Sequence, residues 1–139
     1  MQKAKIIDIP AKMEKFYGKG TMLHPSLSEI EGLISLIPSN KVTTINHIAS
    51  FLAKNHGTDV TCPMRTGNAI KKIANRFTLE NLDDNLPFWR VVRSDKMIIK
   101  SKTFEQWASL IEDEGIELSF PKSGNIKVNF DSDDVFSFA

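Results

Sequence analysis

The sequence predicts an α+β fold that is mainly helical: a winged helix-turn-helix-like domain with a small β-ribbon. Three observations indicate it. Apolar residues recur at helical spacing in several segments that begin at capping residues and end at glycine or proline. Two of these segments are short and separated by a brief connection, which is typical of a helix-turn-helix unit. Later in the chain, two apolar runs flank a turn, as in a two-stranded ribbon.

The composition is that of an ordinary globular protein. The chain has 139 residues, of which 41% are hydrophobic and 25% charged, and this is enough for one domain with a buried core. No apolar run approaches the ~20 residues that span a bilayer, so no membrane partner is expected. The single cysteine, Cys62, cannot form an internal disulfide, which fits the reducing cytoplasm. We therefore expect a soluble cytoplasmic protein.

The first part of the chain predicts an arm and then a helix. Residues 1–22 lack a clear hydrophobic period and predict a loosely attached arm, with a short strand at residues 6–9. Regular structure begins at Ser26, which has capping-box spacing to Glu29. Pro38 ends the first predicted helix. Its apolar stripe consists of Leu27, Ile30, Leu33, Ile34 and Ile37.

Two further helices follow a tight turn. Thr44 is the predicted N-cap of the second helix, and Gly57 supplies its C-terminal stop. The third helix begins near Cys62 and Pro63, because proline suits the first helical position. The predicted buried face of the second helix is Ile45, Ile48, Ala49 and Leu52. That of the third helix is Ala69, Ile70, Ile73, Ala74 and Phe77.

The third predicted helix is basic and free of acids. Between residues 60 and 79 the only charged side chains are Arg65, Lys71, Lys72 and Arg76. A helix that approaches DNA phosphates attracts cations and excludes acids, so the pattern predicts a recognition helix. The charge is regional, since residues 60–102 carry nine basic and four acidic residues, whereas residues 103–139 carry two and eight. A basic exposed face without a partner is the alternative interpretation.

The remainder of the chain predicts the β-ribbon and a last helix. The apolar run at residues 86–92 should cross the core, and residues 97–99 should return beside it after a turn at residues 94–95. The last helix is predicted to run from a cap at Thr103 to a stop at Gly115. Its inner face is Phe104, Trp107, Leu110 and Ile111. The final segment alternates apolar and acidic residues, which fits a strand, a tail or both.

Three segments of the chain match known motifs, in order. They are residues 37–44 (Ile-Pro-Ser-Asn-Lys-Val-Thr-Thr), residues 87–92 (Pro-Phe-Trp-Arg-Val-Val) and residues 112–116 (Glu-Asp-Glu-Gly-Ile). They resemble the C-terminal domain of the O6-alkylguanine-DNA alkyltransferase family. The first is similar to that family's Ile-Pro-x-Gly-Lys-Val-Thr-Thr-Tyr, the second to its active-site Pro-Cys-His-Arg-Val-Val, and the third to its closing Glu-Gly.

The resemblance implies a division of the chain and the loss of the family's reaction. Residues 23–118 would form the DNA-binding domain, flanked by the arm at 1–22 and an acidic, aromatic extension at 119–139. In the family a cysteine thiolate, activated by a neighbouring histidine and a buried glutamate, takes the alkyl group from guanine O6. Here Phe88 and Trp89 stand at the cysteine and histidine positions. Alkyl transfer is therefore expected to be absent.

The chain most resembles the short alkyltransferase-like proteins, which also lack that cysteine. This implies a non-catalytic monomer that binds double-stranded DNA, recognises alkylated guanine and works with a repair protein, without cofactor or metal. Arg65 is expected at the family's intercalating arginine, with Met64 as the other alignment. The residues expected at DNA are Thr44, Arg65, Asn68, Lys71, Lys72 and Arg76. Those expected at the remnant of the base pocket are Ile45, Phe88, Trp89, Arg90 and Glu114.

Several alternatives stay open at this point. Phe88 and Trp89 either fill the base pocket, wall it, or pack as ordinary core. The acidic, aromatic segment at residues 131–138 could make the scaffold a protein-interaction module, by binding a partner or by folding over the basic helix. Cys62 lies at a helix N-terminus that favours a thiolate, so it could act as the nucleophile of an enzyme.

Overall fold

The computed structural model describes residues 4–76, 86–99, 104–121 and 124–138. Helices and short strands within these ranges confirm the α+β class. The α-helices are α1 (Glu14–Tyr17), α2 (Leu27–Ile34), α3 (Ile45–His56), α4 (Pro63–Asn75) and α5 (Phe104–Asp113). The strands are β1 (Lys5–Asp8), β2 (Thr21–His24), β3 (Thr43–Thr44), β4 (Val60–Thr61), β5 (Val91–Val92), β6 (Glu117–Ser119) and β7 (Lys127–Asn129). Turns of 3-10 helix cover Ala11–Met13, Phe88–Arg90 and Ser132–Asp134.

Two predicted positions cannot be compared with the structure. Phe77, expected on the third helix, and Thr103, expected to cap the last one, lie outside the described residues, as does the side chain of Phe104. None of the helices in the described ranges has the length and apolar character needed to cross a membrane.

The N-terminal segment is built into a sheet. β1 pairs with β2 in antiparallel register, from Lys5 opposite His24 to Asp8 opposite Thr21, and we call this pair the N-terminal hairpin. β4 adds to β2 in parallel, and a small apolar cluster of Ile9, Met22 and Cys62 packs this part of the molecule. The strand predicted at residues 6–9 therefore forms one residue earlier. The arm expected to be loosely attached is thus paired with β2 and packed through Ile9 on Met22 and Cys62.

Gly20 has a defined reason to be glycine. Its φ is +151°, and a Cβ built on it would lie 2.2 Å from Oδ2 of Asp59. That carboxylate oxygen accepts a hydrogen bond from the backbone N–H of Thr21 at 2.9 Å and so ties β2 to the segment before β4. Any side chain at position 20 would displace Asp59 from this bond.

The predicted starts of α2, α3 and α4 and the predicted stop of α3 are confirmed, whereas α2 ends at Ile34, earlier than the stop predicted at Pro38. Ser26 Oγ accepts from Glu29 N at 3.2 Å at the start of α2, and Thr44 Oγ1 accepts from His47 N at 3.2 Å at the start of α3. Gly57 ends α3 in the left-handed conformation with φ of 68°. α3 packs against α4 and against β4. The two helices contribute Ile48, Leu52, Ile70, Ile73 and Ala74 to the main core.

The predicted β-ribbon is wrong in its pairing. β5 lies in parallel beside β3, and Met97 and Ile98 take backbone partners from residues 126–127; across the predicted turn, Arg93 N donates to the carbonyl oxygen of Met97 at 2.9 Å. β6 and β7 form the antiparallel hairpin of this region. Both predicted ribbon strands are buried apolar runs, and such runs carry no local signal that selects one partner over another. The partner of β5 lies about fifty residues earlier, which a local pattern does not reveal.

Candidate nucleic-acid interface

One face of α4 is exposed and carries cations. Arg65, Asn68 and Lys72 follow one another at about one-turn spacing and are exposed, whereas the opposite side, which includes Ile70, is buried. We call Arg65, Asn68 and Lys72 the outer face of α4. Asn68, one of the residues expected at DNA, is thus accessible to a ligand. Lys71 lies beside this face and is half-buried.

The cations of α4 have no described counterion on their own helix. α4 contains no acid, and no described carboxylate pairs with Arg65, Lys71 or Lys72. From Arg65 to Lys72 the helix rises about 10 Å. An uncompensated row of cations over such a length creates a positive potential that attracts polyanions. This is the electrostatic requirement of a surface that binds a phosphate backbone.

Two of the predicted DNA contacts are engaged within the protein. Arg76 Nη2 lies 2.9 Å from Glu31 Oε2 on α2, which offsets its charge locally. Thr44 is 7% exposed, and its Oγ1 caps α3 and lies 2.6 Å from Nδ1 of His47. Arg76 therefore ties the end of α4 to α2, and Thr44 stabilises the start of α3. Their contacts favour a structural role over the DNA contact expected from the sequence.

Met64 and Ile45 flank the start of the outer face in different ways. Met64, in the first turn of α4, is 71% exposed, which is unusual for a large apolar residue. The exposure of Met64 could be predicted from the sequence, because positions 64 and 68 are one turn apart and lie on the same side of the helix. Ile45 is half-buried, and its Cδ1 would lie 4.0 Å from a Cβ on Gly67. Ile45 therefore packs against α4.

Phe88 is part of the core. It is 1% exposed and is among the largest fully buried side chains of the described chain. Its ring meets Trp107 edge-on at 5.0 Å between centroids and Trp89 edge-on at 5.3 Å. Trp107 is itself fixed by a hydrogen bond from Nε1 to the carbonyl oxygen of Val91 at 3.2 Å. Of the alternatives left open by the sequence, these contacts favour a ring that fills the position over one that walls an open pocket.

Glu114 holds together residues from three parts of the chain. Trp89 Nε1 donates to Glu114 Oε2 at 2.5 Å, and Arg90 Nη2 lies 2.9 Å from the same oxygen. The backbone N–H of Asn40 donates to Glu114 Oε1 at 3.0 Å. Arg90 continues the network, since its Nη1 donates to the carbonyl oxygen of Ile37 at 2.6 Å. We call Glu114, Trp89, Arg90 and Asn40 the Glu114 network.

Against the effect of burial, the hydrogen-bond donors around Glu114 lower the pKa of its carboxyl group. Burial by itself would raise the pKa of the Glu114 carboxyl, but the hydrogen bonds from Arg90, Trp89 and Asn40 N, with the charge of Arg90, hold it below its ordinary value of 4.5. Glu114 is thus a carboxylate at neutral pH, surrounded by donors. The partners of Glu114, which the resemblance places at the family's buried acid, are an indole and a guanidinium.

Cys62 lies apart from this network. It is buried at the N-terminus of α4 and belongs to the small cluster with Ile9 and Met22. A thiol enclosed by apolar side chains is poorly placed to meet an alkylated base, since nucleophilic attack needs access. Its backbone N–H donates to the carbonyl oxygen of Leu23 at 2.9 Å, so the residue joins α4 to β2.

The acidic, aromatic C-terminal segment folds back on the protein. The carbonyl oxygen of Asp134 accepts from Val42 N at 2.9 Å, and Phe136 N donates to the carbonyl oxygen of Val42 at 2.7 Å. The ring of Phe138 lies 5.4 Å from that of Phe51 on α3, and together they border a cleft of about 420 Å³. These contacts direct the segment along Val42 and α3, a different course from the alternative in which it folds over the basic helix.

The fold is shared with solved DNA complexes. No protein-family model matches the chain, and no curated protein sequence matches it. Two crystal structures are similar: S. pombe Atl1 in complex with damaged DNA containing O6-carboxymethylguanine, and S. pombe ATL in complex with DNA. Each is 20% identical, with TM-scores of 0.58 and 0.59, over 80% of this chain and 94% of the other. The similarity seen in the three motifs therefore extends to the fold, and the chain has the fold of the alkyltransferase-like protein Atl1.

Proposed function

We propose that the protein binds double-stranded DNA through α4 and recognises alkylated guanine without repairing it. The observation that carries the proposal is the outer face of α4, a row of exposed polar and basic side chains on an acid-free helix without described carboxylate partners. The same fold occurs in a protein solved with damaged DNA, which favours DNA over other polyanions. In this proposal α4 lies in a groove, with Arg65, Asn68, Lys71 and Lys72 at the phosphates or base edges.

The absence of alkyl transfer belongs to the same proposal. The reaction needs a thiolate that can reach the alkyl carbon. Phe88 offers a hydrocarbon ring at the family's cysteine position, and Trp89 uses its N–H to bind Glu114. Cys62 is buried in a different cluster. The protein would therefore hold a lesion without being modified, and a repair protein would complete the task on a complex with one copy of this chain.

Because Phe88 fills its position, an alkylated base cannot simply insert beside it, and the protein must recognise the lesion in another way. An extruded base needs space of its own size, and the ring of Phe88 is packed on Trp89 and Trp107. Recognition then requires either movement of these rings or reading of the modified base from outside the core. Comparison of duplexes with and without O6-methylguanine measures how much discrimination the filled position permits.

Anisotropy titration of a labelled duplex tests the proposal. We expect binding at low salt, with log K falling linearly with log salt by about 0.9 for each phosphate that the protein neutralises. Replacing both lysines, Lys71→Gln and Lys72→Gln, should weaken binding to every duplex and flatten that slope by about 0.9 for each phosphate that is no longer neutralised. Lys54→Gln, an exposed lysine at the end of α3, is the control and should leave the slope unchanged.

The same samples test the chemistry. After incubation with O6-methylguanine DNA, the intact mass of the protein should be unchanged. An added methyl group would overturn the non-catalytic part of the proposal. Lack of binding to either duplex at low salt would overturn the whole of it.

A further inference from the structure

Three basic side chains from three different elements meet at one end of the N-terminal hairpin. Lys5 on β1 stands opposite His24 on β2. The carbonyl oxygen of Leu23, the neighbour of His24, accepts from Cys62 N at 2.9 Å, which fastens the start of α4 to this end of the hairpin. Arg65 lies in the first turn of α4 and is exposed, as is Lys5.

Together with burial, two of these side chains, Arg65 and Lys5, lower the pKa of the third, His24. Burial lowers the pKa of His24 below its ordinary 6.5, and the charges of Arg65 and Lys5 lower it further. Those two cations, Lys5 on β1 and Arg65 in the first turn of α4, are the described charged groups that act on His24; β4 and α3, which also pack on β2, add no further charge to it. No described carboxylate pairs with Lys5, His24 or Arg65. Cations held together without a counterion repel one another, and an anion between them relieves that repulsion.

The cluster is continuous with the outer face of α4, because Arg65 belongs to both. The row that starts with Lys72 and passes Asn68 to Arg65 thus continues onto the N-terminal hairpin. A helix laid along duplex DNA meets phosphates beyond its own ends, and groups beside its N-terminus are placed to contact them. A diester phosphate is the anion of that polymer, with oxygen acceptors for all three side chains.

We propose that the N-terminal hairpin is part of the DNA interface, and that Lys5, His24 and Arg65 together bind a backbone phosphate beside the segment under α4. The inference rests on the proposed function and adds to it a second element. It assigns Arg65 a place at the backbone, between the hairpin and the helix. It also makes binding depend on the protonation of His24.

The pH dependence has a definite sign. In the free protein His24 is more easily deprotonated than an ordinary histidine, because burial and the two cations disfavour its charged form. A phosphate in the cluster supplies a negative charge and raises the pKa of His24 in the complex. The complex then holds more protons than the separate partners, so affinity rises as pH falls between the pKa of His24 in the complex and its lower pKa in the free protein.

The test measures duplex affinity between about pH 5 and 8, where histidine is the side chain that ordinarily changes charge. The wild-type protein should bind more tightly as pH falls, and His24→Gln should lose most of that gain. Because Lys5 shares the phosphate with Arg65 and His24, Lys5→Gln should reduce the salt slope by up to about 0.9, so that a fourfold rise in salt costs up to about 3.5-fold less affinity than in the wild type. The control is Lys12→Gln, an exposed lysine beyond the opposite end of the hairpin.

The outcomes separate the two proposals. If the wild type binds DNA but Lys5→Gln and His24→Gln behave like Lys12→Gln, the hairpin contact is overturned and the function of α4 stands. A pH dependence that survives in His24→Gln overturns the role of His24. If the wild type does not bind DNA at all, both proposals fail. Far-ultraviolet circular dichroism of each variant verifies that the fold is retained.

Discussion

Glu114 connects three parts of the chain through one carboxylate. Its two oxygens connect the turn at Asn40, the 3-10 turn with Trp89 and Arg90, and the end of α5. The side chains of Arg90 and Glu114 are 14% and 13% exposed, so water replaces few of these bonds if one partner is removed. A charged hydrogen-bonded group in such a position contributes more to stability than a surface pair does.

Replacing that carboxylate should therefore destabilise the protein. We expect Glu114→Gln to lower the free energy of unfolding by about 2–4 kcal/mol, because the Arg90 guanidinium keeps its burial and loses its counterion. Glu112→Gln, an exposed position on the same helix, is the matched control and should change it by less than about 0.5 kcal/mol. Urea denaturation at neutral pH measures both. Equal effects of the two substitutions would contradict the role assigned to Glu114.

The same group gives stability a pH dependence. Its folded pKa is lowered, so its contribution is fully present above the ordinary value of 4.5 and is lost as pH falls through the lower folded pKa. Urea denaturation of Glu114→Gln at a series of acid pH values should show a shallower loss of stability than the wild type in this range.

At the scale of elements, local signals and long-range pairing differ in how well they can be predicted. The caps at Ser26 and Thr44 and the stop at Gly57 were predictable, because each acts within one turn of its own residue. The basic face of α4 follows from the same periodicity. The parallel pairing of β5 with β3 was not predictable, since it depends on residues distant in sequence that carry no reciprocal pattern.

The N-terminal hairpin provides a prediction at this scale. Gly20→Ala should destabilise the protein, because the new Cβ would meet the Asp59 carboxylate and φ of +151° disfavours a side chain. Gly32→Ala in α2 is the contrast, since nothing lies within 4 Å of its Cβ position and alanine favours a helix by about 0.5–1 kcal/mol. Thermal unfolding should therefore move in opposite directions for the two variants. A neutral Gly20→Ala would show that Asp59 can give up its bond to Thr21 without cost.

At the scale of the whole molecule, the fold decides which surface the acidic end of the chain covers, and the order of the residues does not reveal this. The acidic end of the chain packs along Val42 and α3, where Lys41 Nζ donates to the carbonyl oxygen of Asp133. The candidate site could likewise be predicted only in part, because some of its contacts join residues that are distant in sequence. Asn68 and Lys72 follow from helical phase, whereas the partners of Glu114 and the meeting of Lys5 with Arg65 depend on tertiary contacts.

Deletion of residues 131–139 tests this arrangement. The deletion removes both backbone partners of Val42, which is fully buried, and each polar group left unpaired costs about 1–3 kcal/mol. We expect a lower urea midpoint and, for the protein that remains folded, DNA affinity close to that of the full chain. Asp133→Asn, which removes one charge and keeps the segment, is the control. Tighter DNA binding after deletion would instead indicate that the segment competes with DNA for α4.

The indole of Trp89 also limits what a thiol at the neighbouring position 88 could do. By resemblance to the family, a cysteine at position 88 depends on a neighbouring histidine and the glutamate to become a thiolate. In this chain the glutamate already accepts the N–H of Trp89 and the guanidinium of Arg90. Phe88→Cys alone would restore a thiol without its activating base, and it would leave a void against Trp107. A thiol at position 88 would therefore meet an activating base only if position 89 changed with it.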